Sequence, residues 1–247
     1  MGKKTKRKKI VSSNGKPFVS VCTPTYNRKK FIPYLIKCFE NQTYPKDKLE
    51  WIIVDDGEES VEDLFRDVPC VKYFRYEEKM KLGKKRNVTH EKCMGDIIVY
   101  MDDDDFYPPD RINHAVTKLM SNKHALVAGS SRIHLYFKSQ QKIFEFGPYG
   151  PNHATAGTFA FKKELLKITK YDDDAEVAEE RLFLKNYTIP MVQLNPQKTI
   201  LVFAHDNNTF DKNQLLLKPD PSHVKPIGLK PKNIIKNKEL LNFYISV

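Results

Sequence analysis

Glycine is scarce, ten residues in 247, and none forms the G-x-G-x-x-G turn of a dinucleotide-binding unit or the G-x-x-x-x-G-K-[ST] loop of a P-loop NTPase. Any phosphate this chain binds must therefore be held by side chains or a metal. Cysteine is scarcer still. Cys22, Cys38, Cys70 and Cys93 are never closer than sixteen residues, which excludes C-x-x-C metal and redox motifs and makes reduced thiols the default. No apolar run exceeds five residues (Ile97 to Met101 and Ile200 to Ala204), against the ~18–20 that a membrane span needs. The amino terminus, MGKKTKRKK, has no apolar stretch behind its basic residues, so it does not read as a secretory signal. These absences together predict a soluble, cytoplasmic protein. A Lys-, Asn- and Ile-rich composition suits an AT-rich genome, and for a large DNA virus the compartment would be the host cytoplasm.

What is present supports a folded enzyme-sized unit. Hydrophobic residues make up 40% and aromatics 11%, enough for a core and against a wholly disordered chain. The net charge of +11 suggests nucleic acid until it is divided: +6 lies in residues 1–10, +4 in residues 211–247, and only +1 in the chain between. The basicity belongs to the ends. No aromatics are interleaved with KKTKRKK, so it reads as a solvated tail that contacts an anionic surface or partner.

Hydrophobic periodicity predicts an alternation. Strands are expected at Phe18 to Thr23, Leu49 to Val54, Val71 to Tyr76 and Asp96 to Met101. Helices are expected at Phe31 to Phe39, near Val61 to Phe65, at Gly83 to Cys93 and at Pro109 to Ser121. This β-α-β-α-β-α-β order predicts a mostly parallel sheet with helices on both faces. The second half changes character. Ala125 to Phe137 and Lys142 to Gly147 read as meander strands, Thr155 to Phe161 as a short strand, and Ala175 to Tyr187 as an amphipathic helix. Met191 to Leu194 and Thr199 to Ala204 read as two further strands. From Asp211 a Lys- and Pro-rich extension is expected to end in a helix over Asn233 to Tyr244, docked by Leu240, Leu241 and Phe243. The division is thus a tail over 1–16, an α/β domain over 17–210 with halves meeting at residues 128 and 129, and an extension over 211–247.

Ligands of open α/β sheets bind beyond the carboxyl ends of the strands. There the sequence places Thr23-Pro24-Thr25-Tyr26-Asn27-Arg28, then Asp55-Asp56-Gly57, then Asp102-Asp103-Asp104-Asp105. Four adjacent aspartates behind a buried IIVYM run repel one another unless a cation joins them. In an extended segment Asp102 and Asp104 share a face while Asp103 and Asp105 point away. Oxygen-only ligation suits Mg²⁺ or Mn²⁺.

The runs VSVCTPTYNRKKFIPYLIKCFENQTYP, LEWIIVDDG and KLGKKRNVTHEKCMGDIIVYMDDDDFYPP, in that order across about residues 17–110, resemble family 2 glycosyltransferases of the GT-A fold. TAGTFAFKKELL further resembles that family's acceptor-side segment, and AEERLFLKNY its Glu-Asp-plus-helix element. The resemblance implies a Rossmann-like parallel sheet with a smaller acceptor-side mixed sheet. It implies metal-dependent, inverting transfer of a sugar from a nucleotide-diphosphate sugar to a hydroxyl of a glycan, protein or small-molecule acceptor. UDP is the default donor nucleotide. By the same resemblance Thr23, Pro24 and Tyr26 line the nucleotide pocket, and Asp55 or Asp56 accepts from the base. Arg86 approaches the base or diphosphate. Asp102 and Asp104 form the DxD pair for ribose and metal-bound diphosphate, with Asp103 between them. Glu180 is the catalytic base, with Glu179 beside it and Asp172 to Asp174 just upstream. His205, in FAHDNNTF, is a further ligand for metal or diphosphate.

Two other classes share some of these features. A metal-dependent phosphotransferase, nucleotidyltransferase or nuclease also uses acid clusters at strand ends, with basic tails to hold polynucleotide. The chain lacks the Gly-rich nucleotidyl loop and the second-metal histidines of that class. A non-catalytic nucleotide-sugar-binding module is the third reading, and the intact Asp102 to Asp105 cluster argues against it.

Overall fold

The computed structural model of the protein describes residues 15–176, 179–205, 208 and 210–247. The expected basic tail therefore lies outside the described residues up to residue 14. In the first half, strands β1 (Val19–Thr25), β2 (Leu49–Asp55), β3 (Val71–Arg75) and β4 (Ile97–Tyr100) alternate with helices α1 (Ile32–Glu40), α2 (Leu82–Glu91) and α3 (Arg111–Ser121). Period-2 alternation sends Val19, Val21, Trp51, Ile53, Ile97 and Val99 into one core layer. It sends Cys22, Ile52, Val54, Ile98 and Tyr100 into the other. α1 covers the first layer with Ile32, Leu35 and Phe39, and α3 covers it with Ile112, Ala115, Val116 and Leu119, both at helical spacing.

The second half supplies β5 (Val127–Gly129), β6 (Ile133–Phe137), β7 (Lys142–Phe146), β8 (Ala160–Lys162), the one-turn α4 (Glu180–Phe183), β9 (Met191–Gln193) and β10 (Leu201–Ala204). β11 (Val224–Ile227), α5 (Pro231–Ile234) and α6 (Lys238–Ser246) close the chain. The main sheet has seven strands in the order β3-β2-β1-β4-β8-β5-β9, and the smaller has four in the order β10-β6-β7-β11. β3, β2, β1 and β4 are mutually parallel; β8 is antiparallel to both β4 and β5, and β5 is parallel to β9. The carboxyl ends of β1, β2, β4, β5 and β9 consequently share one rim.

Several expected elements take a different form. The stretch Ala125 to Phe137 breaks at Ser130 to Arg132, so β5 joins the main sheet while β6 joins the smaller one. The helix expected over Ala175 to Tyr187, of which residues 177 and 178 lie outside the described residues, is helical only at Glu180–Phe183. Lys185, Asn186 and Tyr187 turn to positive φ (49°, 54° and 63°), which an α-helix cannot accommodate. The extension after Asp211 is not merely extended before its helix, because β11 pairs antiparallel with β7. α6 buries Leu240 and Tyr244, stacks Phe243 on Tyr34 of α1, and pairs Glu239 with Lys37.

Candidate active site

The end of β1 is locked from beneath. Thr23 is wholly buried; its hydroxyl donates to the Met101 carbonyl at 2.6 Å and accepts from Trp51 Nε1 at 2.9 Å. It therefore supports the rim instead of lining a pocket. Tyr26, three residues on, is half-buried, with Lys79 Nζ 4.2 Å and Lys85 Nζ 5.5 Å from its ring centroid. Pro24 is likewise only partly buried.

Asp55 and Asp56 were expected to meet a nucleotide base, but both carboxylates are enclosed. Asp55 accepts from Gly57 N (2.8 Å), Val61 N (3.3 Å) and the Tyr73 hydroxyl, and Arg75 lies 3.8 Å away. Asp56 accepts from Met80 N at 2.6 Å and from Lys85 Nζ. Satisfied, buried carboxylates of this kind fix loops; here they pin the turn after β2 to β3 and α2.

α2 is unusual in turning a polar face inward: Lys85, Arg86, Thr89 and His90 are all buried. Gly83 permits this approach, since a Cβ there would lie 1.9 Å from the Asp172 carbonyl oxygen. Arg86 Nε donates to Glu179 at 2.9 Å, Nη1 lies 3.4 Å from Asp102, and the guanidinium sits 4.6 Å from the Tyr100 ring centroid. Burial alone would lower the Arg86 pKa, but Asp102 and Glu179 hold it well above its ordinary value. Arg86 is therefore a buried bridge between two carboxylates, not a free cation for base or diphosphate. One of these carboxylates comes from the donor-side half and the other from the second half.

Asp102 to Asp105 form a turn and not an extended segment, so strict alternation fails. Asp103 and Asp104 both face Arg28, whose Nε is 3.7 Å from each and is buried with no hydrogen-bond partner among the described residues. Asp104 also lies 3.4 Å from His205 Nε2 and accepts from Asn208 at 3.3 Å. Asp105 faces inward, where its carboxylate accepts from Phe203 N at 3.1 Å and its carbonyl from the Tyr244 hydroxyl at 2.8 Å. Burial and then repulsion from Asp104 push Asp103 up to about 7 and Asp105 well above its ordinary value. Burial would raise Asp104 too, but the His205 hydrogen bond and the charges of Lys212 and Arg28 hold it at about 2. Repulsion within the turn thus favours a proton or a cation among these carboxylates.

Among the described residues no group of three or more His, Cys, Asp and Glu side chains forms a ready metal cage. Asp102 and Asp104 do keep partly exposed carboxylates (24% and 14%). One or two carboxylates completed by substrate phosphates are how Mg²⁺ is ordinarily held, so this donor set fits such an ion. Gly157, before β8, lies against Asp102: a Cβ there would be 2.9 Å from Oδ2.

The second-half acids separate clearly. Glu179 is buried on Arg86, whereas Glu180 is half-buried and has no ion-pair partner among the described residues. Burial raises the Glu180 pKa, and the Glu179 charge adds to the rise. Asp172, Asp173 and Asp174 are exposed; Asp173 accepts from Asn87 at 2.7 Å and Asp174 meets Lys81 at 3.3 Å. Arg28 and Asn208 were not singled out from the sequence. Both stand in segments that were, PTYNR and FAHDNNTF, but only the fold brings them to Asp104.

A mostly parallel seven-stranded sheet with a smaller mixed sheet, and acids gathered on its carboxyl rim, is a GT-A-like fold. The mannosyltransferase PcManGT of Pyrobaculum calidifontis, solved with GDP-Man and Mn²⁺, superposes with a TM-score of 0.63 at 19% identity over 82% of this chain and 62% of that one. Staphylococcus aureus TarS 1–349 with UDP-GlcNAc gives 0.62 at 22% identity over 77% and 60%. The profile named Glycosyl transferase family 2 matches residues 20–167, and the chain belongs to that family. Among curated relatives, an uncharacterized glycosyltransferase of Haemophilus influenzae is 27% identical over 119 residues, 46% of this chain and 47% of that protein. The poly(ribitol-phosphate) beta-N-acetylglucosaminyltransferase TarS of S. aureus is 27% identical over 106 residues, 39% of this chain and 18% of that protein. The chain therefore spans less than half the length of either relative. No helix among the described residues is long and apolar enough to cross a membrane.

Proposed function

We propose that the protein transfers a sugar from a nucleotide-diphosphate sugar, UDP-linked by default, to an acceptor hydroxyl with inversion at the anomeric carbon. The observation that carries this reading is the Arg86 bridge. It holds Asp102 of the acid turn and Glu179 of the second half on one guanidinium, and Glu180, the residue after Glu179, has no ion-pair partner among the described residues. Family membership and the nucleotide-sugar complexes of the two structural neighbours support it.

In this mechanism Tyr26 offers a flat face to the base, with Lys79 and Pro24 beside it. Asp102 receives the ribose, held in place by Arg86 and by the absence of a side chain at Gly157. A Mg²⁺ or Mn²⁺ ion held by Asp104 and Asp102, with His205 at the Asp104 edge, would neutralise the leaving diphosphate when bound. Glu180 takes the proton of the acceptor hydroxyl as its oxygen bonds to the anomeric carbon. The bond from that carbon to the diphosphate oxygen breaks, and the nucleoside diphosphate leaves with the electron pair. A carboxylate of raised pKa without an ion-pair partner among the described residues suits this task better than Glu179, which is buried and held by Arg86 Nε.

Glu180→Gln tests the assignment. It removes the basicity and keeps the shape, so transfer from UDP-sugar should fall by ~10²–10⁴ while UDP binding stays unchanged. Transfer at the wild-type rate, or loss of UDP binding, contradicts it.

A further inference from the structure

On the same rim, at the ends of β5 and β9, lies a cleft of about 620 Å³ lined by Ser130 to Arg132, Pro148 to Pro151, Gln193, Leu194 and Pro196. It adjoins the candidate active site through short steps. The Thr158 hydroxyl accepts from Ser130 N at 2.9 Å, and its neighbour Gly157 packs on Asp102. Apart from the exposed Arg132, Ser131 and Gln193 turn their polar atoms to the cleft's own frame. Ser131 Oγ accepts from Tyr149 N (2.7 Å) and Gly150 N (3.1 Å), and Gln193 Nε2 donates to the Pro151 and His153 carbonyls at 2.8 and 3.0 Å. What else faces outward is mainly apolar and aromatic, on a scaffold that is already formed.

A row of rings extends this surface. Tyr149, 48% exposed, stacks on His223 of the C-terminal extension at 5.0 Å and 8°. On its other side it meets His153 at 4.9 Å, and His153 meets Tyr187 at 5.0 Å. Tyr187 closes the row beside Glu180, whose charge raises the tyrosine pKa after burial does. Tyr187 is also the third of three consecutive non-glycine residues at positive φ, a conformation that persists only where surrounding contacts impose it and that recurs at ligand clamps.

We infer that this cleft and ring row bind the acceptor, and that the acceptor is an oligosaccharide of at least two units. The inference rests on the transferase reading and names the substrate class of that site. His223, Tyr149, His153 and Tyr187 touch in series, each about 5 Å from the next, so together they form a continuous aromatic surface longer than one sugar ring, on which apolar C–H faces of adjoining units can lie while their hydroxyl edges stay wet. Arg132 is the one side chain among the cleft's lining residues that carries a charge at neutral pH. A polyphosphate or nucleic-acid acceptor would need several cations there. An uncharged chain, or one with a single acidic group per repeat, does not.

The test uses the full chain on an array of defined neutral and acidic oligosaccharides with their monosaccharides, alongside calorimetry with UDP and Mn²⁺. The wild type should bind oligosaccharides in preference to monosaccharides. Tyr149→Ala and Tyr187→Ala should each weaken that binding about tenfold or more, Tyr149→Phe should retain it, and all three should bind UDP as the wild type does. Failure of the wild type to bind any oligosaccharide, equal binding of monosaccharides, or undiminished binding by both alanine variants overturns the inference. Absence of UDP binding in the wild type would count against the donor reading and leave the saccharide result to stand separately.

Discussion

Arg86 donates to Glu179 at 2.9 Å across 93 positions of sequence, both side chains buried. This contact ties the buried polar face of α2 to the short helix α4, and Asp102 completes the bridge. Breaking a buried ion pair by removing one partner typically destabilises by ~3–5 kcal/mol, because the remaining charge stays desolvated. Arg86→Met should therefore lower the stability measured by urea unfolding by about that amount. Glu180→Gln, at a carboxylate with no ion-pair partner among the described residues, should stay within ~0.5 kcal/mol of wild type. Equal stabilities for Arg86→Met and the wild type would show that the bridge is not structural.

Gly157 tests the donor side without touching an acid. Alanine there brings a methyl carbon to 2.9 Å from Asp102 Oδ2, so either the carboxylate or the loop must move. UDP affinity in the presence of Mn²⁺ should fall about tenfold with little change in unfolding midpoint. Unchanged affinity would mean that Asp102 does not meet the nucleotide.

The acid limb of the rate profile follows from Glu180. Burial raises its pKa, so the carboxylate becomes protonated at a higher pH than an ordinary glutamate, and a base must be unprotonated to act. Transfer measured against pH should lose activity below a midpoint that lies above the ordinary glutamate value of about 4.3. A limb at or below that value argues against Glu180.

His90 gives a separate signature in stability. It is buried against Phe161 and Phe183 with Nε2 2.6 Å from the Tyr100 hydroxyl, and burial, then the Arg86 charge, lowers its pKa to about 3. The unfolded chain binds this proton near pH 6.5 and the folded chain only near 3, so stability is full above about 6.5 and declines as pH falls between them. The slope attributable to one such proton is about 1.4 kcal/mol per pH unit. His90→Gln should reduce the slope of stability against pH in that window by this increment; an unchanged slope contradicts a neutral buried His90.

The sequence made the first half legible because each signal there is local. Leu49 to Val54 and Val71 to Tyr76 alternate or run apolar between polar turns, and the strands form there within a residue. The acids at 55, 56 and 102–105 were found because strand ends are where open sheets bind. What each acid does was not legible, since enclosure is a tertiary property: Tyr73, Met80 and Lys85 close over Asp55 and Asp56 from elements 18 to 29 residues away. The helix over Ala175 to Tyr187 misled because apolar spacing carries no information about the left-handed turn at Lys185 to Tyr187. β11 was missed because Val224–Ile227, with Pro226 inside it, reads as a breaker; an edge strand tolerates that proline.

In the proposed function the acid turn holds a nucleoside diphosphate through a divalent ion and Asp104. Calorimetric titration of UDP into the full chain, with Mn²⁺ and with chelator, for wild type and Asp104→Ala, tests it most directly. Mn²⁺-dependent binding by the wild type and its loss in Asp104→Ala are expected, with both proteins retaining the circular-dichroism spectrum of the folded chain. Metal-independent binding, or affinity unchanged by Asp104→Ala, would contradict it.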